Sequence, residues 1–284
     1  VTARCQRDNA VRLVAGPTAV ISRILNINKD LIRQTTIVVA MAATLLVNGL
    51  ASALPIDGVQ TSELAARFPV TFMPASSTFR IWRLIYLGLL AYALYQALPA
   101  QRRNPRLRSI GVPFLAACLA NIAWILLWRY QIIPLTLVAM LALLAALIVL
   151  YRRLRIGRSS PPMLERWAVN LPFSLTLGWI TVATIANAAV LLRFWGWNGF
   201  GVSDAAWLIA VLTMALVIAT LMALTRSDVA FLLALAWGLV GVGLQQHTAT
   251  PAATAVWVAV GYVLALVVVS LLRGWRRPAP ARAA

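Results

Sequence analysis

Residues 169–192 read VNLPFSLTLGWITVATIANAAVLL, a stretch without a single Asp, Glu, Lys or Arg. At about 1.5 Å per residue, a helix of this length crosses the ~30 Å hydrocarbon core of a bilayer. Glu165 and Arg166 stand before it and Arg193 follows it, so the charge returns only at its ends. Working outward, seven further apolar runs appear: Thr35–Leu54, Phe79–Leu98, Ile110–Trp128, Ile133–Tyr151, Asp204–Leu224, Val229–Gln245 and Ala253–Leu272. Over the 284 residues, 62% are hydrophobic and 11% charged, against roughly 25% charged in a soluble domain. The reading is all-α: a polytopic transmembrane helix bundle of eight spans.

Lys and Arg number 25 against 7 acidic residues, a net charge of +18. Such a balance also suits a nucleic-acid binder, but here the arginines sit between apolar runs. With the N-terminus in the cytoplasm, 20 of the 25 basic residues fall on that side. The other side keeps Arg67, Arg80, Arg83, Arg129 and Arg193. The positive-inside rule accounts for this split. It predicts a multi-pass protein of a bacterial plasma membrane with both termini cytoplasmic, partnered by the lipid bilayer and not by nucleic acid. Residues 1–34 read as a basic cytoplasmic tail. Residues Pro55–Thr78 form the one long connection, either a lid over a site or a surface segment.

Inventory removes several chemistries. His247 is the only histidine and the two cysteines, Cys5 and Cys118, lie far apart, so no metal site is expected. Lys29, the only lysine, precedes the first span, which excludes a Schiff base within the membrane. Asp8, Asp30, Asp57, Glu63, Glu165, Asp204 and Asp228 fall in tails, loops or span ends, so no carboxylate relay crosses the bilayer. No catalytic residues are assigned.

Eleven tryptophans are many for this length, and most suit the interfacial aromatic belt, Trp195, Trp197 and Trp275 among them. Trp207, Trp237 and Trp257 read as lipid-facing or packing residues, and Trp237 is expected to take no part in a site. Three helix stripes behave differently. Trp82 and Tyr86 are four apart; Asn121, Trp124 and Trp128 are spaced three and four; Trp179, Ala183 and Asn187 are four apart. Each stripe therefore shares one helix face. An amide in hydrocarbon needs a partner, so Asn48, Asn121 and Asn187 should point inward. Direction of travel places these residues in the outer half. Two readings stand open here, an aromatic-packed core and a ligand pocket.

The same residues carry a resemblance. Phe79-Arg-Ile-Trp82-Arg-Leu-Ile-Tyr86 resembles the second-helix stretch of the TspO/translocator-protein family, the tryptophan-rich sensory proteins. Asn121-Ile-Ala-Trp124 resembles its third-helix motif, and Pro172 followed by Trp179-Ile-Thr-Val-Ala183-Thr184-Ile-Ala-Asn187 its fifth. The resemblance covers about residues 35–192. It implies a TspO-like five-helix domain at 35–200, with an accessory three-helix region and basic tail at 201–284.

By the same resemblance the protein is a sensor or receptor for flat hydrophobic molecules, a porphyrin or other tetrapyrrole or a sterol-like compound. The ligand would lie in an outer-half aromatic pocket under the first loop. Phe79, Trp82, Tyr86, Asn121, Trp124, Trp128, Trp179, Ala183 and Asn187 would form that pocket. A bound porphyrin would be ligand and not cofactor. The resemblance leaves open a tetrapyrrole transporter, light-dependent porphyrin breakdown and a homodimer.

Overall fold

The computed structural model describes residues 17–53, 70–246 and 250–275, and the side chains of these except 17–28, 52 and 274–275. The tail before residue 17, most of the long loop, His247 and the tail after Trp275 lie outside the described residues, as does the side chain of Trp275. Within them the fold is eight long helices and no strand. They are α1 (Pro17–Ala53), α2 (Ile81–Ala97), α3 (Pro105–Arg129), α4 (Ile133–Arg153), α5 (Leu171–Phe194), α6 (Asp204–Arg226), α7 (Val229–Gln245) and α8 (Pro251–Trp275).

Six of the helical runs are long and apolar enough to cross a membrane, making this a multi-pass integral membrane protein. Of the eight spans of the hydropathy reading, these six meet that length and composition. α2 and α7 have 17 residues each, about 25 Å at 1.5 Å per residue. Both nevertheless run between the same two ends of the bundle as the longer helices. α2 starts beside the first turn of the 70–80 segment and ends where Gln96 exchanges hydrogen bonds with Gln34. α7 starts at Asp228, next to Tyr151, and its Gly241 meets Thr78 at the far end.

Two helix starts differ from the sequence reading. α1 begins at Pro17, well inside the segment read as a tail, because hydropathy drops at Lys29, Asp30 and Arg33 while helical hydrogen bonding does not. Proline suits that first position, where its missing N–H is not needed. Phe79 belongs to a 3-10 turn, Ser76–Arg80, that feeds α2 and is not part of the helix itself. α5 is preceded by a π-helical turn, Arg166–Asn170, and together with Met163–Glu165 forms one unbroken run to Phe194.

The packing order follows a chain of neighbours: α1 on α3, α3 on α4, α4 on α5, α5 on α7, α7 on α8 and α8 on α6, with α2 held between α1 and α5. The arginine-rich end is closed by three buried acids. Asp30 pairs with Arg108, and Glu165 with Arg106 at 2.6 Å. Asp228 accepts from the Tyr151 hydroxyl and the Ser174 hydroxyl, each at 2.7 Å, and from the Phe231 amide that it caps. One carboxylate thus joins α4, α5 and α7.

The α5–α7 contact depends on small residues. A Cβ added to Gly178 would lie 2.5 Å from the Phe231 carbonyl oxygen and 2.9 Å from the Ala234 Cβ. In lipid, where apolar surface gains little by pairing, such close backbone approach supplies much of the association. Gly178→Ala should therefore lower stability by about 1–3 kcal/mol, the usual cost of overpacking. Gly261→Ala, with nothing within 4 Å of the added carbon, should leave it unchanged. Thermal unfolding of the purified protein in detergent compares the two.

Candidate functional site

The aromatic stripes of α2, α3 and α5 meet at the end of the bundle opposite the arginine-rich face. Trp82 stacks on Tyr86 with centroids 5.2 Å apart, and on Trp124 at 6.2 Å. Trp124 continues onto Trp128 at 5.9 Å. These four rings lie within 22–26° of parallel from one to the next, a ladder across α2 and α3. Trp179 meets it edge-on, 6.4 Å from Trp82, and Phe79 stands edge-on to Trp179 at 5.7 Å. Such offset and T-shaped pairs are each worth about 0.5–1.5 kcal/mol beyond burial.

Two cavities flank Trp82. The first is lined by Phe79, Trp82, Trp124, Trp128, Trp179, Ala183 and Asn187, together with Met73, Pro74, Ala186 and Val190. The second lies deeper, with Trp82, Tyr86, Asn121, Phe114, Cys118 and Phe173 among its walls. So the nine residues singled out in the sequence fall into seven around the first cavity and two around the second, joined through Trp82. Each cavity holds about 30 Å³ of free space, roughly one water.

The amides are placed by partners on other helices. Asn121 Oδ1 accepts from Asn48 Nδ2 at 2.8 Å and from the Tyr86 hydroxyl at 3.5 Å, linking α1, α2 and α3. Asn187 Oδ1 accepts from Thr136 Oγ1 at 3.0 Å, linking α5 to the first turn of α4. All three asparagines are buried. The indoles of Trp124 and Trp179 are treated differently. Trp179 is 1% exposed and Trp124 6%, yet neither Nε1–H has a hydrogen-bond partner. An unmet buried donor costs about 1–3 kcal/mol. Arg33, Tyr92, Gln96 and Ser270 also keep an unmet polar atom, but none of these lines either cavity.

Sequence reasoning missed several contributors. Ala186 and Val190 extend the Trp179–Ala183–Asn187 face by the same helical spacing and were legible. Met73 and Pro74 come from irregular backbone before the 3-10 turn, and Thr136 from a helix start; neither has a periodic signal. Trp237, read as lipid-facing or packing, is 43% exposed and lines neither cavity, but its indole is also hydrogen-bonded. Its Nε1 donates to the Thr78 carbonyl at 2.8 Å, at the turn that carries Phe79. Beside it the Ala75 amide donates to the Gly241 carbonyl at 2.9 Å, and Gln246 Nε2 to the Thr71 carbonyl at 2.9 Å. α7 therefore fastens the segment that forms the mouth of the first cavity. Arg80, flanking Trp82, turns back to donate to the Ser77 carbonyl, and Arg83 is exposed, so neither enters the cavity.

With the Asn48–Asn121 bond buried in apolar surroundings, a double-mutant cycle on Asn48→Ala and Asn121→Ala should give a coupling near 0.6 kcal/mol, with about 1.7 as an upper value. Unfolding midpoints of the four proteins supply the cycle. A coupling of zero would remove the amide pair as the link between α1 and α3.

A family model described as TSPO-like protein matches residues 34–272, from the start of the first apolar run to near the end of α8. The match continues past Leu192, where the motif resemblance stops, so α6, α7 and α8 fall within it. No curated protein and no solved structure matches the chain.

Proposed function

Because the chain belongs to the TSPO-like protein family across residues 34–272, we propose that it is a membrane receptor for flat hydrophobic molecules, with a tetrapyrrole as first candidate and a sterol-like molecule as second. The observation that carries this reading is that two rings lining one aromatic cavity, Trp124 and Trp179, keep buried, unpartnered indole donors. A porphyrin offers a broad π-face to the ladder and nitrogen or carboxylate acceptors to the two N–H groups. With about 30 Å³ free, the cavity takes it only by parting the indoles or by moving residues 71–78. The hydrogen bonds from α7 to that segment set the cost of such opening.

In this reading the first five helices carry the pocket, and α6–α8 serve as an accessory unit that braces its mouth. Both termini face the cytoplasm. Reporter fusions after Leu98, Tyr151 and Arg273 should all report cytoplasm, and one after Gly199 the opposite side. A fusion after Arg273 reporting the outside would overturn the orientation.

Titration with protoporphyrin, followed by tryptophan fluorescence quenching, tests the pocket. Phe keeps most of the burial of an indole but not its N–H. Trp124→Phe and Trp179→Phe should therefore each weaken binding by about 0.5–1.5 kcal/mol, the net worth of a hydrogen bond. Trp237→Phe should also shift affinity, through the loosened mouth. Trp195→Phe, 63% exposed and outside both cavities, should not. Equal affinity in all four variants would make these rings packing residues. Substrate flux in proteoliposomes would move the function from reception to transport.

The ladder favours a second reading, light-dependent porphyrin breakdown. Tyr86, Trp82, Trp124 and Trp128 form a run of oxidisable rings with centroids 5.2–6.2 Å apart. If that reading holds, Trp82→Phe should slow bleaching of bound porphyrin under illumination more than it weakens binding in the dark.

A further inference from the structure

A third cavity lies on the other side of α5. It is lined by Ala189, Leu192 and Arg193 of α5, by Trp197, Asn198 and Gly199 of the following turn, by Asp204, Trp207, Leu208 and Val211 of α6, and by Val70–Phe72. Helical residues advance by about 100° each, so 192 lies opposite 183, 187 and 190, while 189 and 193 stand at the edge between the two faces. No residue lines both cavities; α5 and the 70–74 segment stand between them. This one holds about 240 Å³, roughly eight waters' worth of space.

Its chemistry is unlike that of the first cavity. Trp197 and Trp207 meet at 4.9 Å and 61°, forming a corner of two indoles, and Phe200 stands against Trp197. Trp207 is locked there by donating from Nε1 to the Gly199 carbonyl at 2.9 Å. Gly199 has φ +68°, and a Cβ on it would lie 3.0 Å from that same nitrogen, so the turn admits the ring only because the residue is glycine. Asp204 precedes Trp207 by one helical turn on α6, which sets a carboxylate beside the aromatic corner. A carboxylate with indole faces is a site for an ammonium or quaternary ammonium group.

Arg193 supplies the opposite charge. Among the described residues neither Arg193 nor Asp204 forms an ion pair, and they do not pair with each other. Asn198 uses its Oδ1 to accept from the Phe200 amide, which leaves its amide nitrogen as a donor. A cation, an amide donor, a carboxylate and two indoles around one cavity are complementary to a molecule bearing both a phosphate and an ammonium. The surroundings select the source. Phe194, Trp195 and Phe200 are 51%, 63% and 80% exposed around the cavity, and aromatic rings concentrate at headgroup depth in a bilayer. Below them α6 presents exposed Ile209, Met214 and Val217, a surface for acyl chains.

We propose that this cavity binds the zwitterionic headgroup of a membrane phospholipid, with its phosphodiester at Arg193 and Asn198 and its ammonium at Asp204, Trp197 and Trp207. The site borders the 70–72 backbone, so an occupied headgroup would stiffen the segment that closes the first cavity.

The test is lipid retention by the purified full chain, exchanged into mixed bilayers of phosphatidylethanolamine and phosphatidylglycerol, then stripped and read by native mass spectrometry. The wild type should retain the zwitterionic lipid in preference. Asp204→Asn should reduce its retention about tenfold and abolish the preference, since the anionic lipid has no ammonium to lose. Arg193→Gln should reduce both lipids. Trp179→Phe, in the other cavity, should change neither. Equal retention of the two lipids by the wild type, or an unchanged preference in Asp204→Asn, overturns the proposal. Soluble glycerophosphoethanolamine separates the sources. Failure to displace the lipid at equal concentration supports a membrane lipid, and displacement overturns that assignment.

Discussion

Inside a bilayer no water is at hand to satisfy a polar group, so each must find its partner within the protein. Much of this structure answers that constraint. Threonine hydroxyls at 36, 44, 176, 181, 184, 213, 220 and 225 donate back to a carbonyl one turn earlier on their own helix. Buried amides also pair across helices, Asn48 with Asn121 and Asn187 with Thr136, and Asn48 donates in addition to the Thr44 carbonyl one turn earlier. Carboxylates are kept to the ends and there collect several donors, as at Asp228. Against this background the two unmet indole donors are an exception, and both belong to rings that line one cavity, which is what supports a ligand there.

The same constraint explains why the last three helices matter to a site built by the first five. The segment at 71–75 is irregular backbone, which at membrane depth is tolerated only where protein buries it. α7 supplies the burial and the hydrogen bonds: Gly241 and Gln246 meet its backbone and Trp237 meets Thr78. Gly241 has to be small, since an added Cβ would run into the Thr78 side chain. α7 is in turn held to α5 through Gly178 and through Gly238, which packs on Val182. Mouth, brace and pocket wall are thus one mechanical unit.

Much of this was legible in the residues. The bounds of α7, Val229–Gln245, follow from an apolar run with an Asp at its cap position, and the α5 run from its uncharged length. The three aromatic faces were legible too, because 3.6-residue periodicity and the cost of burying an amide both act locally. What escaped was either non-periodic or distant. Phe79 sits in a 3-10 turn whose geometry no spacing announces, and α1 continues through charges that hydropathy reads as its end. The bond from Trp237 joins positions 159 residues apart, and a tryptophan in an apolar helix gives no sign of which carbonyl it will reach. At the corner, Trp197 was read as interfacial belt and Trp207 as a lipid-facing or packing residue, and neither reading announces the cavity behind them.

The most direct measurement of the central claim is the indole N–H spectrum of the protein labelled with 15N at tryptophan, recorded before and after adding protoporphyrin. The account predicts that the Nε1–H resonances of Trp124 and Trp179 move toward hydrogen-bonded positions on binding, while those of Trp195 and Trp207 stay in place. Binding that leaves both buried resonances unmoved would contradict it, and would place the ligand elsewhere on the molecule.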